Sequence, residues 1–205
     1  MPKMECELKY ALENEAAYEK LRLSLGPPQA QLQQTNLYLE DPNSEQQAAL
    51  RLRLERNLTD GTERRVLTYK RRAAVQSISA AYFVAHEYEL EIEQSDWDTI
   101  ATGSPTERQW KLEPLARFAE TNGKVLLRAL GEMENTRWTY PLPDGSLAEL
   151  DRTQLPGNRE DFELEIETDR PEPVERWVSA RFRELGLELR PQPLTKFRRF
   201  LEQIR

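Results

Sequence analysis

The sequence predicts an α+β fold in which about eight antiparallel strands form a sheet or barrel with helices packed outside it. Polar/apolar alternation of period two recurs in short runs along the chain, as strands with two different faces require. Turn signals such as Asp41-Pro42-Asn43-Ser44, Asp60-Gly61 and Pro143-Asp144-Gly145 separate the runs. Helix-like stretches with recognisable starts and stops interrupt them. The 205 residues contain no fixed-period repeat, low-complexity tract or linker, so residues 1–205 read as a single domain.

Met4 to Tyr10 alternates strictly, with Glu5, Glu7 and Lys9 on one face and Met4, Cys6, Leu8 and Tyr10 on the other. Asn14 can cap a helix over Glu15–Leu25, whose apolar face is Tyr18, Leu21 and Leu25 and which Gly26-Pro27-Pro28 stops. Residues 33–41 and 50–55 read as strands, the second with Arg51, Arg53 and Glu55 on one face and three leucines on the other. Asn57–Gly61 is a hairpin loop, and Arg64–Arg71 returns with Arg64, Val66, Thr68 and Lys70 on one side. Ala73–Ala81 reads as loop or a short helix. His86–Glu93 puts Glu87, Glu89, Glu91 and Glu93 on one face, and Ser95 can cap a helix starting near Asp96. Residues 105–123 read as helical with a break at Pro114. Strands follow near 133–140 (carrying Arg137), up to Leu150-Asp151, and over Phe162–Glu167. Pro171 and Pro173 open a helix to about Leu185, ended by Gly186. The tail, 194–204, is a basic amphipathic helix or a strand plus helix, with Arg198-Arg199 on its solvated face.

Composition narrows the chemistry. Net charge is −7, which argues against a general nucleic-acid or membrane-surface partner. There is no apolar run long enough to span a bilayer and no signal peptide. The lone cysteine, Cys6, falls on an apolar face, excludes an internal disulfide and is compatible with a cytoplasmic location. The lone histidine, His86, reads as a strand-end residue. Cys/His zinc sites lack ligands, and no Walker A, Gly-x-Gly-x-x-Gly or Gly-x-Ser-x-Gly motif is present. Chemistry therefore falls to carboxylates, arginines and lysines, which suit hard cations and anionic substrates. Trp97, Trp110, Trp138 and Trp177 read as core or helix packing. Trp138, nearest Arg137, is the candidate for stacking on an aromatic substrate.

The polar faces admit two architectures. One is the solvated face of an open sheet, which favours small polar residues and charges paired across strands. The other is a closed barrel with a polar interior and helices over its apolar outside. Here same-sign charges repeat within strands, and side-by-side like charges need a counter-ion. Glutamates in such an interior would hold Mg²⁺ or Mn²⁺, and Arg and Lys would grip phosphate oxygens.

Glu5-Cys6-Glu7-Leu8-Lys9 resembles the E-x-E-x-K signature of the CYTH superfamily, the triphosphate tunnel metalloenzymes. In the same order as in that family come Leu50-Arg51-Leu52-Arg53, Leu67-Thr68-Tyr69-Lys70, Glu87-Tyr88-Glu89, Thr136-Arg137, Leu150-Asp151, Glu163–Glu167 and Thr195-Lys196. Gln34-Thr35-Asn36-Leu37-Tyr38 with Glu40-Asp41 is similar to the family's second strand. The resemblance implies an eight-stranded antiparallel tunnel with a charged interior and outer helices. It implies Glu5 and Glu7 as metal ligands, with a pair drawn from Glu163, Glu165 and Glu167. It implies Lys9, Arg51, Arg53, Lys70, Arg137 and Lys196 as a phosphate clamp, and Glu89 and Asp151 as second-metal or water-positioning groups. Asn135 departs from the family, which often carries a basic residue there.

The activity implied is Mg²⁺- or Mn²⁺-dependent hydrolysis of a triphosphate without a covalent enzyme intermediate, inorganic tripolyphosphate being favoured because no base- or thiazole-recognition element is evident. The alternatives are a thiamine triphosphatase or adenylate cyclase of the same fold, and a non-enzymatic polyphosphate-binding module, which would gain nothing from so many carboxylates. The partner expected is a small-molecule triphosphate, and a homodimer is compatible with the sequence.

Overall fold

The computed structural model describes residues 3–43, 49–72 and 79–204. Eight strands close into an antiparallel barrel: β1 (Lys3–Leu12), β2 (Ala30–Glu40), β3 (Ala49–Asn57), β4 (Glu63–Arg72), β5 (Tyr82–Glu91), β6 (Arg128–Pro141), β7 (Leu147–Leu155) and β8 (Arg159–Glu167). Their order is β5-β4-β3-β2-β6-β7-β8-β1, and β1 pairs back onto β5 to complete the ring. A two-residue strand, β9 (Arg190–Pro191), extends the β5 edge of β1 beside Tyr10 and Ala11. Closure decides between the two architectures: the charged faces line the interior, and the leucine-rich faces lie outside beneath helices.

Among the described residues there are five α-helices: α1 (Glu15–Ser24), α2 (Gln94–Ala101), α3 (Glu113–Asn122), α4 (Pro171–Glu184) and α5 (Lys196–Ile204). Among the described residues no helix is long and apolar enough to cross a membrane. The Asn14 side chain caps α1 by accepting the Ala17 N–H at 3.0 Å. One outer core joins Leu8, Tyr10 and Leu12 of β1 and Leu150, Leu164 and Ile166 of β7 and β8 to Tyr18 and Leu21 of α1 and Val178 and Phe182 of α4. A second packs Leu50, Leu52, Leu67 and Tyr69 against Ile100 of α2 and Leu115 and Phe118 of α3. A third is formed at one end of the barrel, where Phe197, Phe200 and Leu201 of α5 meet Tyr38, Met133 and Leu155. Those three partners are in phase with the lumen-facing residues of β2, β6 and β7, so α5 covers that end with an apolar plug.

Several sequence expectations need correction. Helix α2 starts at Gln94, with Glu93 as its cap and no side-chain cap bond, so neither does Ser95 cap it nor does Glu93 extend the strand. Pro114 is not itself the break in the helical stretch 105–123; the break falls two residues earlier, at Leu112, and Pro114 opens the second piece. It sits in the first turn of α3, where its missing N–H is harmless, after a separate 3-10 turn at Gln109–Lys111. His86 lies inside β5 rather than at its end, paired with Met4 and Arg71. Of the Ala73–Ala81 stretch, residues 73–78 lie outside the described residues, as does Ser44 of the turn after β2.

Gly103 ties the α2–α3 layer to the start of β6. Its carbonyl accepts the Leu127 N–H at 2.8 Å. Its φ is +81°, and a Cβ there would collide with the Leu127 carbonyl oxygen. Gly103→Ala is therefore expected to lower stability in urea denaturation by about 2–4 kcal/mol. A change below about 0.5 kcal/mol would show that this junction is not under such constraint.

Candidate active site

The β1 strand supplies the first wall. Its alternation sends Glu5, Glu7 and Lys9 into the lumen at 6%, 8% and 6% exposure. Antiparallel pairing then sets Lys9 opposite Glu165 of β8, and β7 adds Glu149 opposite Glu165 and Asp151 opposite Glu163. The Lys9 Nζ lies 2.7 Å from Glu165 and 2.8 Å from Glu7. Arg137, beside Asp151 on β6, grips that carboxylate with two bonds of 2.8 and 2.7 Å, reaches Glu165 at 2.8 Å and pairs with Glu149. Carboxylate oxygens of Asp151, Glu163 and Glu165, all buried, lie within 4.8 Å of one another. The Lys196 ammonium, at the first turn of α5, pairs with all three, at 2.7 Å from Asp151 and 3.0 Å from Glu165. Thr195 explains its neighbour: its hydroxyl accepts the Arg198 N–H at 3.2 Å and so caps the helix that carries Lys196.

Across the barrel, β3 presents Arg51 and Arg53. Arg53 donates to Asn36 at 2.9 Å and has its carboxylate partner, Glu55, only at 3.9 Å. Glu55 is itself held by Gln34 and Arg64, each at 2.6 Å. Arg51 donates to the Thr68 hydroxyl at 3.1 Å, while its buried Nε has no partner among the described residues. Lys70 lies between Glu5 at 2.7 Å and Glu87 at 3.0 Å. The lumen is thus two-sided. Carboxylates crowd the β1–β8–β7 wall, and Arg51 and Arg53 face it from β3, the Arg51 Nε without a partner among the described residues. Hard oxygen donors on one side and spare arginine donors on the other fit a divalent cation bound together with a polyanion.

Burial drives the titration of these groups. It pushes the Glu7 carboxyl up to about 7 against the pull of Lys9, with Glu165 and Glu5 adding to the rise. Burial likewise lifts Glu149 to about 7, opposed by Arg137 and reinforced by Asp151 and Glu165. For Glu165 burial is overcome by Lys196, Lys9 and Arg137, which hold it well below the usual carboxylate range. Asp151 is lowered in the same way by Arg137 and Lys196. Burial lowers Arg53 to about 10, and the neighbouring charges of Arg51 and Arg137 lower it further.

The structure brings Glu5, Glu7, Lys9, Arg51, Arg53, Lys70, Arg137, Asp151, Glu163, Glu165 and Lys196 into the lumen. Glu167 points the same way, but it is at the rim, where it pairs with Lys3 at 3.0 Å. Glu89 is exposed farther along β5, so of that strand's glutamates only Glu87 is buried. Asn135 is not idle in place of a basic residue: it donates to Gln34 at 2.9 Å and to Asp151 at 3.1 Å. Trp138 faces outward, with the Arg22 guanidinium 5.1 Å from its ring centre, which removes it as a lumen stacking group. Arg199 is also displaced from expectation, since it is buried at 4% exposure rather than solvated. Glu149 and Arg199 escape sequence reasoning, although each has a signal. Glu149 continues the alternation two residues before Asp151, and Arg199 is one helical turn from Lys196.

Comparison with known proteins gives a consistent picture. A family model described as the CYTH domain matches residues 3–201. No curated protein matches. Among solved structures the chain is similar to a Hippeastrum protein described as a putative adenylyl cyclase with a dominant triphosphatase activity. The identity is 25%, the coverage 97% of this chain and 95% of that one, and the TM-score 0.84. It also shares its fold with a putative adenylate cyclase from Bacillus halodurans, at 18% identity, 96% and 98% coverage and a TM-score of 0.66. A Pyrococcus horikoshii protein has the same fold, at 24% identity, 97% and 98% coverage and a TM-score of 0.62.

The raised Glu7 carboxyl has a measurable consequence. Its proton is held in the folded protein and lost earlier in the unfolded chain, so stability falls as pH rises from 4.5 towards 7. Glu7→Gln removes that penalty. In the metal-free protein its stabilising effect should grow by on the order of 2 kcal/mol between pH 5 and pH 8, read by chemical denaturation. A pH-independent difference would mean that Glu7 titrates normally.

Proposed function

Because this chain belongs to the CYTH domain family, whose members are metal-dependent enzymes acting on triphosphates, we propose that it hydrolyses a triphosphate, with inorganic tripolyphosphate as the preferred substrate. The observation that carries this reading is the two-sided lumen. Buried carboxylates on β1, β7 and β8 face Arg51 and Arg53 on β3, and the buried Nε of Arg51 has no protein partner among the described residues.

Glu163 and Glu165, clustered with Asp151, together with Glu5 and Glu7 of the E-x-E-x-K signature, are the groups that would hold a divalent ion, Mg²⁺ or Mn²⁺. Such an ion supplies Lewis-acid neutralisation of phosphate oxygens. The chain's own residues do the rest. Arg51 and Arg53 bind phosphate from the β3 side, where the planar guanidinium suits paired oxygens. Lys9, Lys70, Arg137 and Lys196 hold the other oxygens in line. They are already fixed by carboxylates, so little reorganisation accompanies the build-up of charge on the leaving oxygen. Asp151 is committed to Arg137, Lys196 and Asn135 and serves to orient them. Of the lumen carboxyls not assigned to the ion, Glu149 titrates near neutrality and suits uptake of the proton of the attacking water. Glu89, exposed beyond the buried Glu87, stands outside this constellation.

The outward position of Trp138 supports tripolyphosphate over substrates with a planar organic group. The proteins described as putative adenylate cyclases keep cyclisation of a nucleoside triphosphate as the second reading. Phosphate release should be stimulated by Mg²⁺ or Mn²⁺ and be fastest with tripolyphosphate, against ATP and thiamine triphosphate under the same conditions. Cyclic nucleotide formation from ATP exceeding phosphate release would favour the second reading. No metal-stimulated turnover of any of the three would overturn the enzyme reading.

A further inference from the structure

Helix α5 does more than plug the barrel. Its apolar residues, Phe197, Phe200 and Leu201, pack on Tyr38, Met133 and Leu155 and fix the helix against the barrel end. They do not fix where its first residue points. Lys196 and Arg199 lie three residues apart and so share one flank of the helix, beside its apolar face, from which both reach carboxylates of the lumen. Arg199 is 4% exposed, although it belongs to a helix at the outer end of the barrel. Its Nε is ion-paired with Asp161, 2.8 Å away but not aligned as a hydrogen bond, and its Nη2 donates to Glu163 at 2.8 Å. Its Nη1 donates to the Leu194 carbonyl at 2.7 Å.

One guanidinium thus joins two successive lumen-facing carboxylates of β8 to the backbone just ahead of the helix. In sequence Lys196 lies between Leu194 and Arg199. Glu163 is common to both cations: one oxygen accepts from Arg199 and the other is ion-paired with Lys196. A planar fork with fixed donors can hold two hydrogen-bond partners and an ion-pair neighbour in one arrangement, which a point charge on a flexible stem cannot.

We infer that Arg199 is a positioning residue: by gripping Asp161, Glu163 and the Leu194 carbonyl, it holds the Lys196 ammonium on the phosphate-facing side of Asp151, Glu163 and Glu165. The consequence for substrate rests on the lumen being a triphosphate site. The placement of Lys196 does not, and the two are tested separately.

Placement is read by reductive methylation of lysines in the metal-free protein, quantified by mass spectrometry, with folding checked by circular dichroism. The Lys196 side chain is 11% exposed and Lys124 is 50% exposed, so Lys124 serves as the internal reference. In Arg199→Gln, methylation of Lys196 should rise roughly tenfold relative to Lys124, with a smaller rise in Arg199→Lys, which keeps the charge but loses the fork. Unchanged protection of Lys196 in folded Arg199→Gln, or full protection in Arg199→Lys should the first variant not fold, overturns the assignment.

The consequence is read by a double-mutant cycle on KM for tripolyphosphate with Mg²⁺. Arg199→Gln should raise KM roughly tenfold in the wild-type background and less than about twofold in a Lys196→Gln background. Equal factors in both backgrounds would show that Arg199 does not act through Lys196. A wild-type protein that turns over no triphosphate would sink the proposed function, and the methylation result would still decide the placement of Lys196.

Discussion

The Glu165 carboxylate is the centre on which the interior of the barrel depends. Three cations from three different elements converge on it: Lys9 from β1 at 2.7 Å, Arg137 from β6 at 2.8 Å and Lys196 from α5 at 3.0 Å. Asp151 and Glu163 stand beside it, so without those cations the wall would hold like charges together out of water. Such an arrangement is strongly unfavourable unless each charge is paired and hydrogen-bonded. Closing β1 onto β8 brings Lys9 in, the β6–β7 pairing brings Arg137 in, and docking of α5 brings Lys196 in. The sheet closure, the plug helix and the charged interior are therefore parts of one compensation. The outer cores supply the driving force for closing the barrel, and the ion network decides that it closes with these faces inward.

The same compensation explains why the interior is uneven. On the β1–β7–β8 side anions and cations neutralise one another in a dense network. On β3 the accounting is incomplete, because Glu55 is drawn towards Gln34 and Arg64 and leaves Arg53 with a distant partner. A chain of hydrogen bonds from Glu55 through Gln34 and Asn135 to Asp151 links the two sides across β2 and β6. Asn135 is neutral, so this link fixes geometry without adding charge. A polyanion that brought its own divalent ion would match both halves at once, the ion against the carboxylates and the phosphate oxygens against the arginines.

Much of this was legible in the chain. The strict alternation of β1, β3 and β8 determines which side chains share a face, and it puts Glu5, Glu7, Lys9, Arg51, Arg53, Glu163 and Glu165 on polar faces, whereas Asp151 and Lys196 are legible only through the family resemblance. What alternation cannot determine is depth along the barrel. Glu87, Glu89 and Glu91 share one face in sequence, yet only the first is buried, because the later residues run past the mouth. Helix α5 was the harder case. Two adjacent arginines on a basic tail look alike in sequence, but Arg198 is exposed and Arg199 is buried on carboxylates of a strand 36 residues away. Trp138 takes the packing role expected of the tryptophans, and the stacking alternative falls for a related reason: its proximity to Arg137 in sequence places it on the opposite face of the same strand.

The central claim is that the acid wall and the β3 arginines form one site for a metal-bound triphosphate. Crystals grown with Mn²⁺ and a non-hydrolysable tripolyphosphate analogue test it most directly, through anomalous scattering at the manganese edge. The account predicts a manganese peak among the Glu5, Glu7, Glu163 and Glu165 carboxylates, with phosphate oxygens reaching the Arg51 Nε. Manganese and analogue bound outside the barrel, with Arg51 unchanged, would contradict it.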